Sequence, residues 1–162
     1  SRMSIEELLN LLRALGEQSV EYVLIGGAAM NIHGVVRATE DVDLFVRPDA
    51  KNIENVRTAL RSIWDDDEIE LITADDLSGA YPVVRYGPPQ GNIAIDLLAS
   101  LGNSYTYDDI SSEIVTIEGI QIRIATPQML YRMKRNTVRP IDRSDAEALR
   151  SIFGFEELDD GC

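Results

Sequence analysis

Apolar residues near the start of the chain recur at helical spacing, with Ile5, Leu8, Leu9, Leu11, Leu12 and Leu15 on one face. Ser4 followed by Glu7 has the spacing of a capping box and Gly16 supplies a stop, so an amphipathic helix is expected over Ile5–Leu15. The pattern then shortens. Tyr22–Ile25 is an apolar run ending in Gly26-Gly27, and Ala28–His33 has helical composition before Gly34, which reads as strand, glycine turn and short helix. Val42, Leu44 and Val46 alternate with Asp43 and Phe45, a strand with carboxylates near its beginning and Pro48-Asp49 at its end. Over 50–63, Ile53, Val56, Ala59, Leu60 and Ile63 keep a period of three to four, which predicts a second long helix packed on the sheet.

The second half reads mainly as strands. They are expected at Glu70–Thr73, Val83–Tyr86 and Ile93–Leu98, with a turn at Gly87–Gly91. Ile114–Ile117 and Ile120–Ile124 flank Glu118-Gly119, a two-residue hairpin signal. Thr126-Pro127 opens a helix with Leu130 and Met133 inward, Arg139-Pro140 breaks it, and Asp142–Phe153 forms the last helix, stopped by Gly154. This order predicts an α/β (α+β) fold: a mixed β-sheet with helices packed on it and two C-terminal helices. A single domain is expected over 1–155, followed by an acidic tail at 156–162.

At 162 residues and 44% hydrophobic, the chain can bury a core without disulfides or a structural metal. Cys162 is its single cysteine, which excludes an intrachain disulfide and Cys-rich zinc sites. No apolar run approaches the roughly 18 residues of a membrane span, and Glu6, Glu7, Asn10 and Arg13 interrupt the first segment where a signal peptide would be apolar. A soluble cytoplasmic protein is expected. The balance of 15 Lys+Arg against 28 Asp+Glu, a net −13, argues against a basic coat for duplex DNA or an anionic membrane. The acidic cluster Asp65–Glu68 is expected in a solvated loop. The charge is uneven, however: between Arg123 and Arg150 seven basic residues face three acidic ones, a local +4 that leaves −17 on the remainder.

Three carboxylates stand out because they interrupt apolar strands. Asp41 and Asp43 flank Val42, and as i and i+2 they project from the same face of a strand. Asp96 sits between Ile95 and Leu97. Acids in such places are costly without a compensating cation, and three converging on one face would repel unless a divalent ion sat among them; all-oxygen ligands favour Mg²⁺ or Mn²⁺ over zinc. Taken singly, an aspartate at a strand end also serves as a turn former or ion-pair partner. Gly26-Gly27 adds a second feature, backbone amides at a helix start where phosphate can approach without a Cβ in the way. Neither a dinucleotide fingerprint nor a Walker A loop is present. Arg37 and Thr39 lie between the glycines and the acidic strand, where a guanidinium can neutralise phosphate oxygens or pair with Glu40. His33, the single histidine, is expected to cap or pack rather than catalyse.

Leu24-Ile25-Gly26-Gly27, Asp41-Val42-Asp43-Leu44 and Ile95-Asp96-Leu97 together resemble the three-part signature of the DNA polymerase β type nucleotidyltransferase superfamily. The fuller run Leu24–Gly34 with Arg37, Thr39, Asp41 and Asp43 is most similar to the small bacterial AbiEii-like nucleotidyltransferases, several of which are toxins of toxin-antitoxin pairs. The resemblance implies transfer of a nucleoside monophosphate from an NTP to an acceptor hydroxyl, with RNA or a small molecule as acceptor and an antitoxin as a possible protein partner. It implies that Asp41 and Asp43 hold the metal ions and that Asp96 completes the site and serves the base. Gly26 and Gly27 would cradle the triphosphate. Met129–Lys134 with Arg139 and Asp142 resembles the C-terminal motif of the family, in which a lysine reaches the phosphates; Lys134 is that candidate, with Asp142 or Asp145 to orient it. A nucleotidyltransferase-like module that binds nucleotide or a partner without turnover is the alternative.

Overall fold

The computed structural model describes residues 4–36, 38–39, 41–79, 82–101, 105–134 and 140–155, the last segment without side chains at 140–142. The first helix, α1 (Ile5–Glu17), opens with the expected capping box: the Ser4 hydroxyl accepts from Glu7 N and Glu7 Oε1 accepts from Ser4 N, both at 3.1 Å. It passes through Gly16 rather than stopping there. Its other carboxylate oxygen accepts from Asn92 N at 3.0 Å, tying the helix to the turn between two later strands. Those backbone N–H groups, Asn92 first, hold the Glu7 carboxyl below its ordinary value.

Strand β1 (Tyr22–Ile25) is buried throughout and runs straight into α2 (Gly26–Ile32). Strand β2 (Asp41–Val46) is followed by α3 (Ala50–Arg61), whose N-cap Asp49 accepts from Asn52 N at 2.7 Å. The expected strand at Glu70–Thr73 is instead a 3-10 turn over Asp67–Leu71. Ile69 and Ile72, three apart, both point inward, whereas Leu71 is 69% exposed, so the apolar spacing is that of a tight helical turn and not of a strand. Nor is the Asp65–Glu68 cluster wholly solvated, since Asp66 caps that turn and accepts from Tyr86 Oη at 2.8 Å. A short α4 (Ala74–Leu77) leads to β3 (Val83–Tyr86) and β4 (Ala94–Leu98), then to a small ribbon of β5 (Ser100–Leu101) and β6 (Tyr105–Thr106). Strands β7 (Ser112–Ile117) and β8 (Ile120–Ala125) form the expected hairpin, with φ of 50° at Glu118 and 81° at Gly119. The chain closes with α5 (Pro127–Lys134) and α6 (Pro140–Phe153); the latter begins at Pro140, two residues before the expected start. The tail 156–162 lies outside the described residues.

The main sheet has six strands in the order β3-β4-β2-β1-β8-β7. It is mixed: β2 pairs parallel with β4 and antiparallel with β1, and β1 pairs parallel with β8. Helix α1 packs on α3 and β8, while α2 lies against β1 and β2 and meets α5. Among the described residues no helix is long and apolar enough to cross a membrane.

One end of the central strands is pinned by a buried side chain. Asn52, 2% exposed on α3, donates from Nδ2 to the carbonyls of Glu21 at 2.9 Å and Arg47 at 2.8 Å, and its Oδ1 accepts from Glu21 N at 2.7 Å. It thereby joins the start of β1 and the end of β2 to the helix that covers them. Asn52→Ala strands buried backbone groups at that junction and is expected to cost about 2–4 kcal/mol, read as a lower urea midpoint with an unchanged m value.

Candidate active site

The opposite end of the same strands carries the acids. Register places Ile25 opposite Asp43 across β1 and β2, Asp43 opposite Asp96 across β2 and β4, and Asp96 opposite Arg85 across β4 and β3. Residues paired in register project from the same face, so Asp43, Asp96 and Arg85 form a row, with Asp41 beside it on that face. Val42, Leu44, Ile95 and Leu97 point the other way and are buried. Sequence spacing put Asp41 and Asp43 together; sheet pairing brings Asp96 to them.

Arg85 lies across the row. Its Nη2 donates to Asp41 Oδ1 at 3.0 Å, and its Nη1 donates to Asp96 Oδ2 at 3.1 Å and Oδ1 at 3.2 Å, with Asp41 Oδ2 at 3.4 Å. This residue was not singled out in the sequence. A cation was to be expected near acids in apolar strands, and the alternation Val84-Arg85-Tyr86 was the local signal; its partners depend on a pairing that sequence spacing does not show.

Asp43 is partly buried between its two neighbours. Burial, then the charges of Asp96 and Asp41 and a hydrogen bond shared with Asp96, push its carboxyl up from 3.8 to about 6, while the positive charge of Lys134 pulls the other way. Gly26 sits directly against it: φ there is +70°, and a Cβ would run into Asp43 Oδ2. Glycine at 26 is therefore required by the carboxylate as well as by the backbone turn.

The donor set is of the kind a hard divalent cation takes: three carboxylates, all oxygen. Asp41, Asp43 and Asp96 are the residues that would hold it. In the structure Arg85 bridges Asp41 and Asp96, and among the described residues no three acidic, histidine or cysteine side chains stand in a ready-made metal arrangement.

Lys134, at the end of α5, forms an ion pair with Asp145 Oδ2 of α6 at 3.1 Å, with side-chain exposures of 13% and 5%. Of the two acids expected to orient it, Asp145 is the one seen paired with it; the side chain of Asp142 lies outside the described residues, as does Arg37. The Thr39 hydroxyl donates to the carbonyl of Asp41 at 3.0 Å, which braces the entry to β2. Thr39 also lines a pocket of about 360 Å³ with Ile5, Leu8, Ala28 and Ile117, but none of the three acids borders it, and its wall is mostly apolar. His33 caps α2, its Nε2 2.8 Å from the carbonyl of Ala125 and its ring edge-on to Phe153, a packing role. The basic segment is not one surface: Arg123 is on β8, bonded to Ser112 Oγ at 3.0 Å, and Arg150 pairs with Glu147 at 2.8 Å.

Solved structures of nucleotidyltransferases share this fold. A lincosamide antibiotic adenylyltransferase, LnuA, in its lincomycin-bound form superposes with a TM-score of 0.62 at 16% identity, over 94% of this chain and 99% of that one. An antigenic nucleotidyltransferase-like protein from Paracoccidioides brasiliensis gives 0.59 at 19% identity, over 94% and 79%. ANT(2'')-Ia in complex with adenylyl-2''-tobramycin gives 0.53 at 15% identity, over 91% and 87%. No curated protein matches the chain. The fold is thus nucleotidyltransferase-like. Within it, residues 4–157 match the family described as nucleotidyl transferase of unknown function (DUF2204), and the chain belongs to that family.

The Asp43 carboxyl makes stability depend on pH in the absence of divalent ions. The unfolded chain gives up this proton near pH 3.8 and the native protein near 6, so unfolding releases a proton in between, and stability falls as pH rises across that window. In EDTA, Asp43→Asn is expected to melt above wild type at pH 8, with the gap closing toward pH 4; thermal melts across that range check it.

Proposed function

We propose that the protein is a divalent-metal-dependent nucleotidyltransferase that moves a nucleoside monophosphate from an NTP to an acceptor hydroxyl. The observation that carries this reading is the row of Asp43 and Asp96, with Asp41 beside it, ending at Gly26 where β1 turns into α2. A bound Mg²⁺ or Mn²⁺ would supply charge neutralisation for the attacking and leaving oxygens. No side chain caps the start of α2, and the backbone N–H groups of Gly26 and the buried Gly27 are the candidates for phosphate oxygens. Lys134, its position fixed by Asp145, brings a positive charge to the same side and suits a phosphate contact. Arg37 and Thr39 are further candidates on the segment entering β2. In the reaction the acceptor oxygen bonds to the α-phosphorus, the α–β bridging bond breaks, pyrophosphate leaves, and the hydroxyl proton passes to a base, for which Asp96 is the candidate.

The acceptor is a hydroxyl of a small molecule or of RNA. LnuA is an antibiotic adenylyltransferase seen with lincomycin and ANT(2'')-Ia is seen with adenylyl-2''-tobramycin, which supports a small molecule as the leading choice. A toxin role with an antitoxin partner is a finer reading that rests on the motif resemblance. One observation favours the alternative of a binding module without turnover: Arg85 already spans two of the three acids.

Incubation with each labelled NTP, Mg²⁺ or Mn²⁺, and a mixture of RNA and hydroxylated small molecules should release pyrophosphate and label one acceptor. Asp41→Ala and Asp43→Ala are each expected to lower the rate about a thousandfold or more. Lys134→Ala should raise the KM for NTP about tenfold through loss of a charge-assisted contact. Nucleotide binding with no pyrophosphate under any metal or acceptor condition would establish the binding module instead.

A further inference from the structure

Two cations serve the acidic site, and they are held in different ways. Lys134 is nearly enclosed and locked to the buried Asp145. Arg85 is 57% exposed on β3, at the edge of the sheet, and its guanidinium is engaged with two acids on two different strands. An exposed ion pair of this kind gains little net free energy, because water and salt screen it and holding a long side chain in one rotamer costs entropy. A doubly charged ion that binds Asp41 and Asp96 directly would outcompete it. Nothing in the packing prevents Arg85 from leaving, because most of its surface already faces water.

We propose that Arg85 is the resident counter-ion of this site: it holds Asp41 and Asp96 together in the metal-free protein, competes with the divalent ion for their oxygens, and turns out toward solvent when the ion binds. The inference rests on the reading of the three carboxylates as a divalent-ion site. Arg85 acts as a positioning residue here. It keeps carboxylates from neighbouring strands in register and neutralised, and the ion then enters a site already assembled at the cost of displacing one guanidinium.

The test is a Mn²⁺ titration of chelator-treated protein without nucleotide, following free Mn²⁺ by electron paramagnetic resonance. Arg85→Met keeps the apolar stem and removes the charge; it is expected to bind Mn²⁺ at least about tenfold more tightly than wild type. Arg85→Lys, whose single ammonium does not span both carboxylates, is expected to bind about threefold more tightly and reports the same competition if Arg85→Met fails to fold. Asp41→Asn should weaken binding in both the wild-type and Arg85→Met backgrounds. Equal or weaker binding by the Arg85 variants, with Asp41-dependent binding intact in wild type, overturns the role of Arg85 and leaves the metal reading standing. Absence of Asp41-dependent Mn²⁺ binding in wild type and every variant overturns the metal reading, and the role of Arg85 with it.

Discussion

Mutual repulsion of three carboxylates is the constraint around which this end of the molecule is organised. Asp41, Asp43 and Asp96 share one face of adjacent strands, and burial takes from Asp43 much of the water that would otherwise screen its charge. The protein answers in three ways. A proton stays on Asp43 well above the usual carboxylate range, Arg85 reaches in from the sheet edge, and Lys134 lends its charge from α5. Each brings positive charge to the acids, the proton and the exposed Arg85 by contacts that can be undone and Lys134 from a fixed place beside Asp145.

The sheet makes this possible because its two ends differ. Along β2, Leu44, Phe45 and Val46 are fully buried, while Asp41 and Asp43 are partly open. At the closed end Asn52 fastens β1, β2 and α3 through backbone hydrogen bonds. At the open end the strands are held by one another and by Gly26, where the chain turns closely enough around Asp43 to leave no space for a Cβ. Acids placed on rigid strands keep fixed separations from one another.

How much of this was legible in the sequence depended on whether the signal was local. The capping box of Ser4 and Glu7 and the Glu118-Gly119 turn each lie within a few residues, and the structure matches both, while the glycine pair expected as a turn before the short helix instead opens α2. The Asp41–Asp43 pair was legible for the same reason. Asp96 stood out as an acid in an apolar run, but its place beside Asp43 depends on a parallel pairing more than fifty residues away in sequence. Arg85 was not legible, since an arginine in a half-exposed strand is ordinary until its cross-strand partners are known. The reading of Glu70–Thr73 as a strand failed because Ile69 and Ile72 are three apart, a spacing that a short apolar run does not distinguish from alternation.

The charge total takes on a different meaning once its partners are placed. Arg47 is engaged by Glu21 and Asp108, Arg57 and Arg61 by Glu54 and Glu70, Arg85 by Asp41 and Asp96, Lys134 by Asp145, and Arg150 by Glu147. Six basic side chains among the described residues are thus committed to internal pairs, and with a net −13 the remaining field is strongly negative. A long polyanion approaching such a surface gains little from counter-ion release and meets repulsion over most of its contact area. A compact anion meets far less of it, a discrimination that comes from the whole charge distribution and not from any one residue.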